Sequence, residues 1–318
     1  MRVVHRRVRR LLGPVLRPLT RRWRSWRWRW QRVYAALDDA TGALPAVTAL
    51  RTARVLLLPR RRILFQPATP SRHQIAWRLL LLCGYRMVES SDERHDVVFA
   101  HDPRTSHPPV RVAGNRAARI VNADATDVAK RTVAARFAEV FGYALHVDPT
   151  THQGPAIRKS NENYRHDAVV VTCPYRPAPD EDPDEVTYQR YVDTRAADGC
   201  FEDLRVPVYD GQVPLVYRKH HPDTATRFSE FAHSEVVLDP RTLLSAQELA
   251  RIGELARALS VDYAEMDVLR DTADGRIYVV DVNPTPAGLY KGFTQQQRRL
   301  ALQTLRPAFA ALVERRCR

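Results

Sequence analysis

The 318-residue sequence predicts a mixed α/β (α+β) protein: a small parallel α/β layer followed by two lobes built on antiparallel sheets. Three observations carry that expectation. Short apolar runs alternate with a helix-like segment between residues 62 and 122, the pattern of a parallel layer. Asp210-Gly211 and Asp274-Gly275 each separate two β-rich runs, a strong hairpin signal. The length is enough to bury one multi-lobed core or two domains of ordinary size.

In chain order, residues 62–66 read as a strand, 72–83 as an apolar helix, and 96–100 and 118–122 as further strands. Residues 126–141 repeat Thr126, Ala129, Val133, Phe137 and Val140 at helical spacing, with a threonine start, and read as a connecting helix. Residues 155–159 form a short strand ending in Lys159, and residues 188–193 another. A hairpin runs from 202–209 through Asp210-Gly211 to 213–219. Residues 245–259 and 296–313 are amphipathic helices, the second placed to pack over a sheet. The domains expected are a basic arm over 1–50, an α/β unit over 62–125 and a second unit over 126–314.

The last hairpin, 267–283, carries the chemistry. Asp281 and Asn283 are two apart in a β-branched run and leave one face of a strand. With a three-residue loop, Ala273-Asp274-Gly275, residue 272 pairs with 276 and Asp267 falls opposite Asp281. Two carboxylates and an amide oxygen then converge, a donor set suited to a hard divalent cation. A loop of only Asp274-Gly275 would turn Asp267 away. An ordinary exposed hairpin is the competing reading, and the rigid exit Asn283-Pro284-Thr285-Pro286 weighs against it.

An acid on one strand, a hairpin, then acid-x-Asn at the end of the next resembles the magnesium-binding hairpin of ATP-grasp enzymes, which use ATP to convert a carboxylate to an acyl phosphate. The resemblance covers most of residues 62–314 and is carried chiefly by 155–288. It implies ATP and Mg2+ as cofactors, with Asp267, Asp281 and Asn283 as metal ligands. It implies Lys159 and Lys219 as phosphate-directed cations, Gln189, Arg190, Tyr191 and Val192 as the base-reading linker, and Asp193 as a ribose contact. Arg205, Arg270 and Lys291 would lie near the acceptor. The two lysines stand out because only four of 50 basic residues are lysine, namely Lys130, Lys159, Lys219 and Lys291, and a compact ammonium suits phosphate as a point charge. Lys130, in a helical segment, has no such role in this reading.

The sequence departs from the family pattern twice. Residues 160–167 contain no glycine, so Ser160 and Asn161 side chains would have to stand in for the backbone amides that close over phosphates. Glu265 occupies the place where many amino-acid ligases of the family carry an arginine.

The net charge of +14 is uneven, since residues 1–32 hold twelve arginines and no acid. Arginine with Trp23, Trp26, Trp28 and Trp30 suits an anionic membrane surface first, a solvated arm without a dedicated partner second, and nucleic acid third. No run reaches the roughly 18 to 20 apolar residues of a spanning helix. Four scattered cysteines without Cys-x-x-Cys spacing point to the cytoplasm, with the arm able to hold the protein on the inner membrane face. The functional expectation is an ATP- and Mg2+-dependent ligase acting on a small-molecule or polymer carboxylate, placed by analogy in cell-envelope or polymer biosynthesis. The alternatives are a catalytically silent nucleotide-binding module and an adaptor acting through the arm.

Overall fold

A strand covered on both faces should be apolar without alternation, and the first strand is. Ile63, Leu64 and Phe65 are all buried in β1 (Arg62–Pro67). In the computed structural model, which describes residues 26, 29–38, 41–113, 119–165, 167–222, 233–290 and 292–318, β1 pairs in parallel with β2 (Arg86–Val88) and β3 (Val97–His101). β3 pairs in parallel with β4 (Ile120–Val121), giving the order β2-β1-β3-β4. Helix α1 (Pro45–Leu57), absent from the sequence reading, precedes this sheet, and α2 (Ile75–Leu82) follows β1. The apolar run in α2 buries Ile75, Trp77, Leu79, Leu80 and Leu81.

Helix α3 spans Lys130–Phe141, four residues later than the threonine start suggested. Asp127 makes a turn ahead of it: its carboxylate accepts from the Ala129 amide at 2.9 Å and from Thr132 Oγ1 at 2.5 Å. A three-stranded antiparallel sheet follows, with β5 (Gly154–Ser160) between β6 (Val169–Cys173) and β7 (Val186–Arg190). The strand expected over 188–193 ends at Arg190, and residues 191–193 become a connection to the next sheet. That sheet is antiparallel in the order β10-β9-β8-β11-β12. Its strands are β8 (Phe201–Tyr209), β9 (Val216–His221), β10 (His233–Val237), β11 (Tyr263–Arg270) and β12 (Ile277–Asn283). Asp210 and Gly211 turn β8 into β9 with φ of +47° and +74°, the left-handed pair that a two-residue hairpin requires. α4 (Ala246–Ala258) starts with the Ser245 and Glu248 capping box, and α5 (Gln295–Arg316) closes the chain.

Two large hydrophobic clusters position the site. The first joins α1, α2 and the parallel sheet to α5 and to Tyr209, Tyr217 and Tyr263 of the five-stranded sheet. The second packs α3 and α4 on the other face of that sheet, through Phe137, Ile252, Met266, Val268 and Val282. A continuous core therefore crosses the boundary expected near residue 125. Asn122 stitches the same joint: its Oδ1 accepts from the amides of Asp262 at 2.8 Å and Tyr263 at 2.9 Å. Gly288 is a second close approach, since a Cβ there would lie 1.9 Å from the His73 carbonyl oxygen.

Residues 29–38 are helical, and Val33 and Leu37 enter the first cluster, so that part of the segment expected to be an arm is packed. Residues 1–25, with most of the arginines of that arm, lie outside the described residues. No helix among the described residues is long and apolar enough to cross a membrane.

Candidate active site

The hairpin between β11 and β12 brings Asp267 opposite Asp281, by a different route from the one the turn suggested. Arg270 pairs with Ile277, and the Asp271 amide donates to the Arg276 carbonyl at 2.9 Å, so four residues form the tip instead of three. Unbroken, that register would set Asp267 against Val280. A β-bulge between positions 267 and 268 of β11 leaves Val280 surplus on β12 and restores the Asp267 and Asp281 pairing. The bulge also changes parity. Ile277 and Val279 pack into the core below it, whereas above it Val282 packs into the core and Asp281 and Asn283 face the other way. The freed Val280 carbonyl accepts from Lys159 Nζ at 3.3 Å, which ties the three-stranded sheet to the five-stranded one.

Asp267 Oδ1 and Asp281 Oδ1 are buried and make no hydrogen bond among the described residues. Such orphaned carboxylate oxygens are costly unless something compensates them. Cations crowd them instead. Arg205 Nη1 lies 3.1 Å from Asp267 Oδ2, and Lys219 Nζ lies 3.8 Å from Asp267 Oδ1. Burial raises the Asp281 pKa despite the opposing pull of Lys130 and Lys159. Burial lowers Lys159 to about 8, against the attraction of Asp281. For Lys219, burial pulls the same way, but Asp267 and Tyr290 outweigh it and the pKa rises.

Lys130, passed over in the sequence, belongs to this cluster. It is the first residue of α3 and is buried, and its ammonium bonds the Glu162 carbonyl and Asn163 Oδ1, the latter at 3.3 Å. Burial lowers its pKa while Asp281 resists. Only the placement of α3 against β12 reveals it. Glu265, two residues before Asp267, shares the same face. Full burial pushes it up to about 7, with Arg205 opposing at 3.6 Å. Arg205 Nε also donates to the Tyr290 phenol at 3.0 Å.

Asn283 Oδ1 is already engaged. It accepts from the Tyr164 phenol at 2.6 Å, the Thr285 amide at 2.9 Å and Thr285 Oγ1 at 3.3 Å. Tyr164 comes from the glycine-free loop and takes φ +64°, a conformation that costs a bulky side chain about 1 kcal/mol or more.

On the three-stranded sheet, Lys159 pairs with Thr187 and Ile157 with Gln189, so all four share one face. Thr187 Oγ1 and Gln189 Nε2 are buried without hydrogen-bond partners among the described residues. Thr187 went unnoticed because its strand starts two residues earlier than the sequence suggested. Other linker candidates are placed in structural roles. Arg190 pairs with Asp271 at 3.2 Å and covers the Tyr278 ring, Val192 is buried in the second cluster, and Tyr191 is half-buried. The Asp193 carbonyl accepts from the Thr272 amide at 2.8 Å. The Ser160 amide donates to Asp167, and Ser160 Oγ accepts from the Glu162 amide. Asn161 caps α3, with Oδ1 accepting from the Arg131 amide at 3.0 Å and its carbonyl from the Lys130 amide at 3.1 Å.

Arg270 does not join the site. It points to the α4 side, where it binds Glu248 at 2.9 and 3.0 Å and the carbonyls of Leu243 and Gly275, each at 2.7 Å. Three residues from Asp267 on the same strand, it has opposite parity. Lys291 lies outside the described residues.

The donors present fit a hard divalent cation beside a polyphosphate: two buried carboxylate oxygens without hydrogens, ringed by three ammonium groups and a guanidinium. Asn283 fits as a third ligand only once Tyr164 releases it.

No family model matches the chain, and no curated protein matches it. Solved structures do. The chain is similar to the D-alanine–D-alanine ligase from Bacillus anthracis, at 14% identity over 80% of this chain and 97% of that one, with a TM-score of 0.48. It is similar to the macrocyclase MdnC bound with precursor peptide MdnA from Microcystis aeruginosa, at 13% identity over 77% and 99%, with a TM-score of 0.42. It is also similar to the ATP-grasp ligase PsnB complexed with a phosphomimetic variant of minimal precursor, Mg and ADP, at 19% identity over 62% and 61%, with a TM-score of 0.40. The chain thus spans about 61% of the length of PsnB.

Proposed function

We propose that the chain is an ATP- and Mg2+-dependent ligase of the ATP-grasp type, which activates a carboxylate as an acyl phosphate for attack by an amine or other nucleophile. One observation carries the reading: two orphaned carboxylate oxygens, Asp267 Oδ1 and Asp281 Oδ1, buried among Lys130, Lys159, Lys219 and Arg205. A buried set of opposite charges with unmet acceptors is suited to an ion and a polyanion arriving together. Asp267 and Asp281 would hold the cation, joined by Asn283, and the cation would supply charge neutralisation to the phosphates. Lys159 and Lys219 would orient the phosphates from the two sheets, and Lys130 would neutralise charge from the start of α3. Thr187 Oγ1 and Gln189 Nε2 offer unmet polar atoms to the base or ribose. Arg205, with Tyr290 bonded to it, would steady the acceptor carboxylate. Residues 62–125 would serve as the first lobe and 126–314 as the nucleotide-clasping unit, the two sharing one core through α5, and a cytoplasmic location with the arm on an anionic membrane belongs to the same proposal. The substrate is a small-molecule or peptide carboxylate.

The test is ADP release by purified chain with ATP, Mg2+ and pooled amino acids, peptides or sugar acids, with hydroxylamine added to trap the acyl phosphate as a hydroxamate. ADP and hydroxamate formation supports the ligase. The Tyr164 bond to Asn283 favours a second reading, a nucleotide-binding module without turnover. ATP-dependent thermal stabilisation without ADP release would select that reading. Neither stabilisation nor release would sink both.

A further inference from the structure

The positive charge of this chain is not confined to its first 32 residues. Residues 1–88 contain 20 arginines against two acids, Asp38 and Asp39, and no acid at all occurs from 40 to 88. Helix α1 lies in the middle of that tract. Its buried residues are Thr48, Thr52 and Val55. At 100° per residue the opposite arc carries Leu50, Arg54 and Leu57, with Val47 and Arg51 on its flank and Leu58 at the C-cap. Leu50 is 72% exposed, Leu57 62% and Leu58 76%. Arg51 and Arg54 are exposed beside them and form no ion pair with any described residue. A globular surface rarely presents large aliphatic side chains in a row, flanked by unpaired cations, without a partner.

We propose that this face of α1 docks on an anionic lipid bilayer, with Leu50, Leu57 and Leu58 entering the acyl boundary and Arg51 and Arg54 meeting the headgroup phosphates. Charge decides between occupants. A second copy would bring Arg51 and Arg54 against their own counterparts in a symmetric contact. The chain's own residues 1–32 carry twelve arginines and no acid, and so would be repelled. Nucleic acid satisfies the arginines and leaves the leucines in water. An anionic bilayer supplies both an apolar interior and a negative surface. The helix would lie flat, which orients the first lobe against the membrane. This surface is separate from the carboxylate cluster, and the proposal stands or falls independently of the ligase reading.

The test uses the full chain in co-sedimentation with vesicles of phosphatidylcholine alone and of phosphatidylcholine with phosphatidylglycerol in equal amounts. Binding to the anionic vesicles only is expected. The double variant Leu50→Glu with Leu57→Glu should weaken it by about tenfold or more. Arg51→Gln with Arg54→Gln should weaken it too and reduce its salt sensitivity. All four positions are exposed, and thermal melts matching the native chain confirm folding. Three outcomes would overturn the proposal: equal binding by the leucine variant, which assigns the membrane contact to the arm alone; equal binding to neutral vesicles; or leucine-dependent self-association in sedimentation equilibrium.

Discussion

Tyr164 donates its phenolic proton to Asn283 Oδ1 at 2.6 Å, and so holds the one amide oxygen among the candidate metal ligands. With Thr285 also donating, that oxygen has no capacity left for a cation. Metal binding through Asn283 must first break this bond, worth about 1 kcal/mol net. Tyr164→Phe should therefore tighten divalent-cation affinity by about fivefold. Calorimetric titration of Mn2+ into both proteins checks this, and equal affinities would remove Tyr164 as a competitor.

Asp281→Asn keeps the shape of a buried side chain and removes the charge facing Lys130 and Lys159. Several kcal/mol of charge stabilisation would go with it, on the order of 100-fold or more in Mg2+-dependent ATP consumption. A coupled ADP assay reads the effect. Retained turnover would overturn the assignment of this carboxylate.

Arg270→Ala separates structure from chemistry. Its bidentate bond to Glu248, the capping-box residue of α4, should make the variant about 1–2 kcal/mol less stable in denaturant unfolding. Any ATP turnover at a permissive temperature should match that of the native chain. Loss of turnover without loss of stability would restore Arg270 to the acceptor site.

Burial lowers His101 to about 4, from an ordinary 6.5. The unfolded chain therefore takes up this proton first as the pH falls. Stability from this residue is fully present above about pH 6.5 and declines toward pH 4, by roughly 3 kcal/mol at most. Unfolding by urea across that range should show a steeper acid loss in the native chain than in His101→Gln. Parallel curves would mean that His101 does not control it.

The strands and turns that could be read from the sequence were those specified locally. Apolar runs marked β1, β3 and β5, and Asp-Gly marked both hairpins, because φ > 0 at the turn is a property of a few residues. β6 and β10 have exposed or partly exposed residues at most positions and lack a buried pattern of their own. The acidic pair was legible, yet its register came from two compensating departures, a longer tip and a surplus Val280, neither of which the turn sequence specifies. Alternation alone excludes Arg270 from the face of Asp267. Lys130 and Tyr164 required tertiary placement, since their contacts to Glu162 and Asn283 span 32 and 119 positions.

Lys159 rides on one sheet and Asp281 on the other, and the Lys159 bond to the Val280 carbonyl is one of the links between them. Opposite charges on separate supports draw the jaws together when nothing lies between them. A bare cation entering would face ammonium groups, and a bare triphosphate would face carboxylates. Entering as a pair, each cancels the repulsion met by the other. On the proposed reading each ligand should therefore raise the affinity of its companion by the same factor, a reciprocity that would favour the metal–nucleotide complex over either ligand alone.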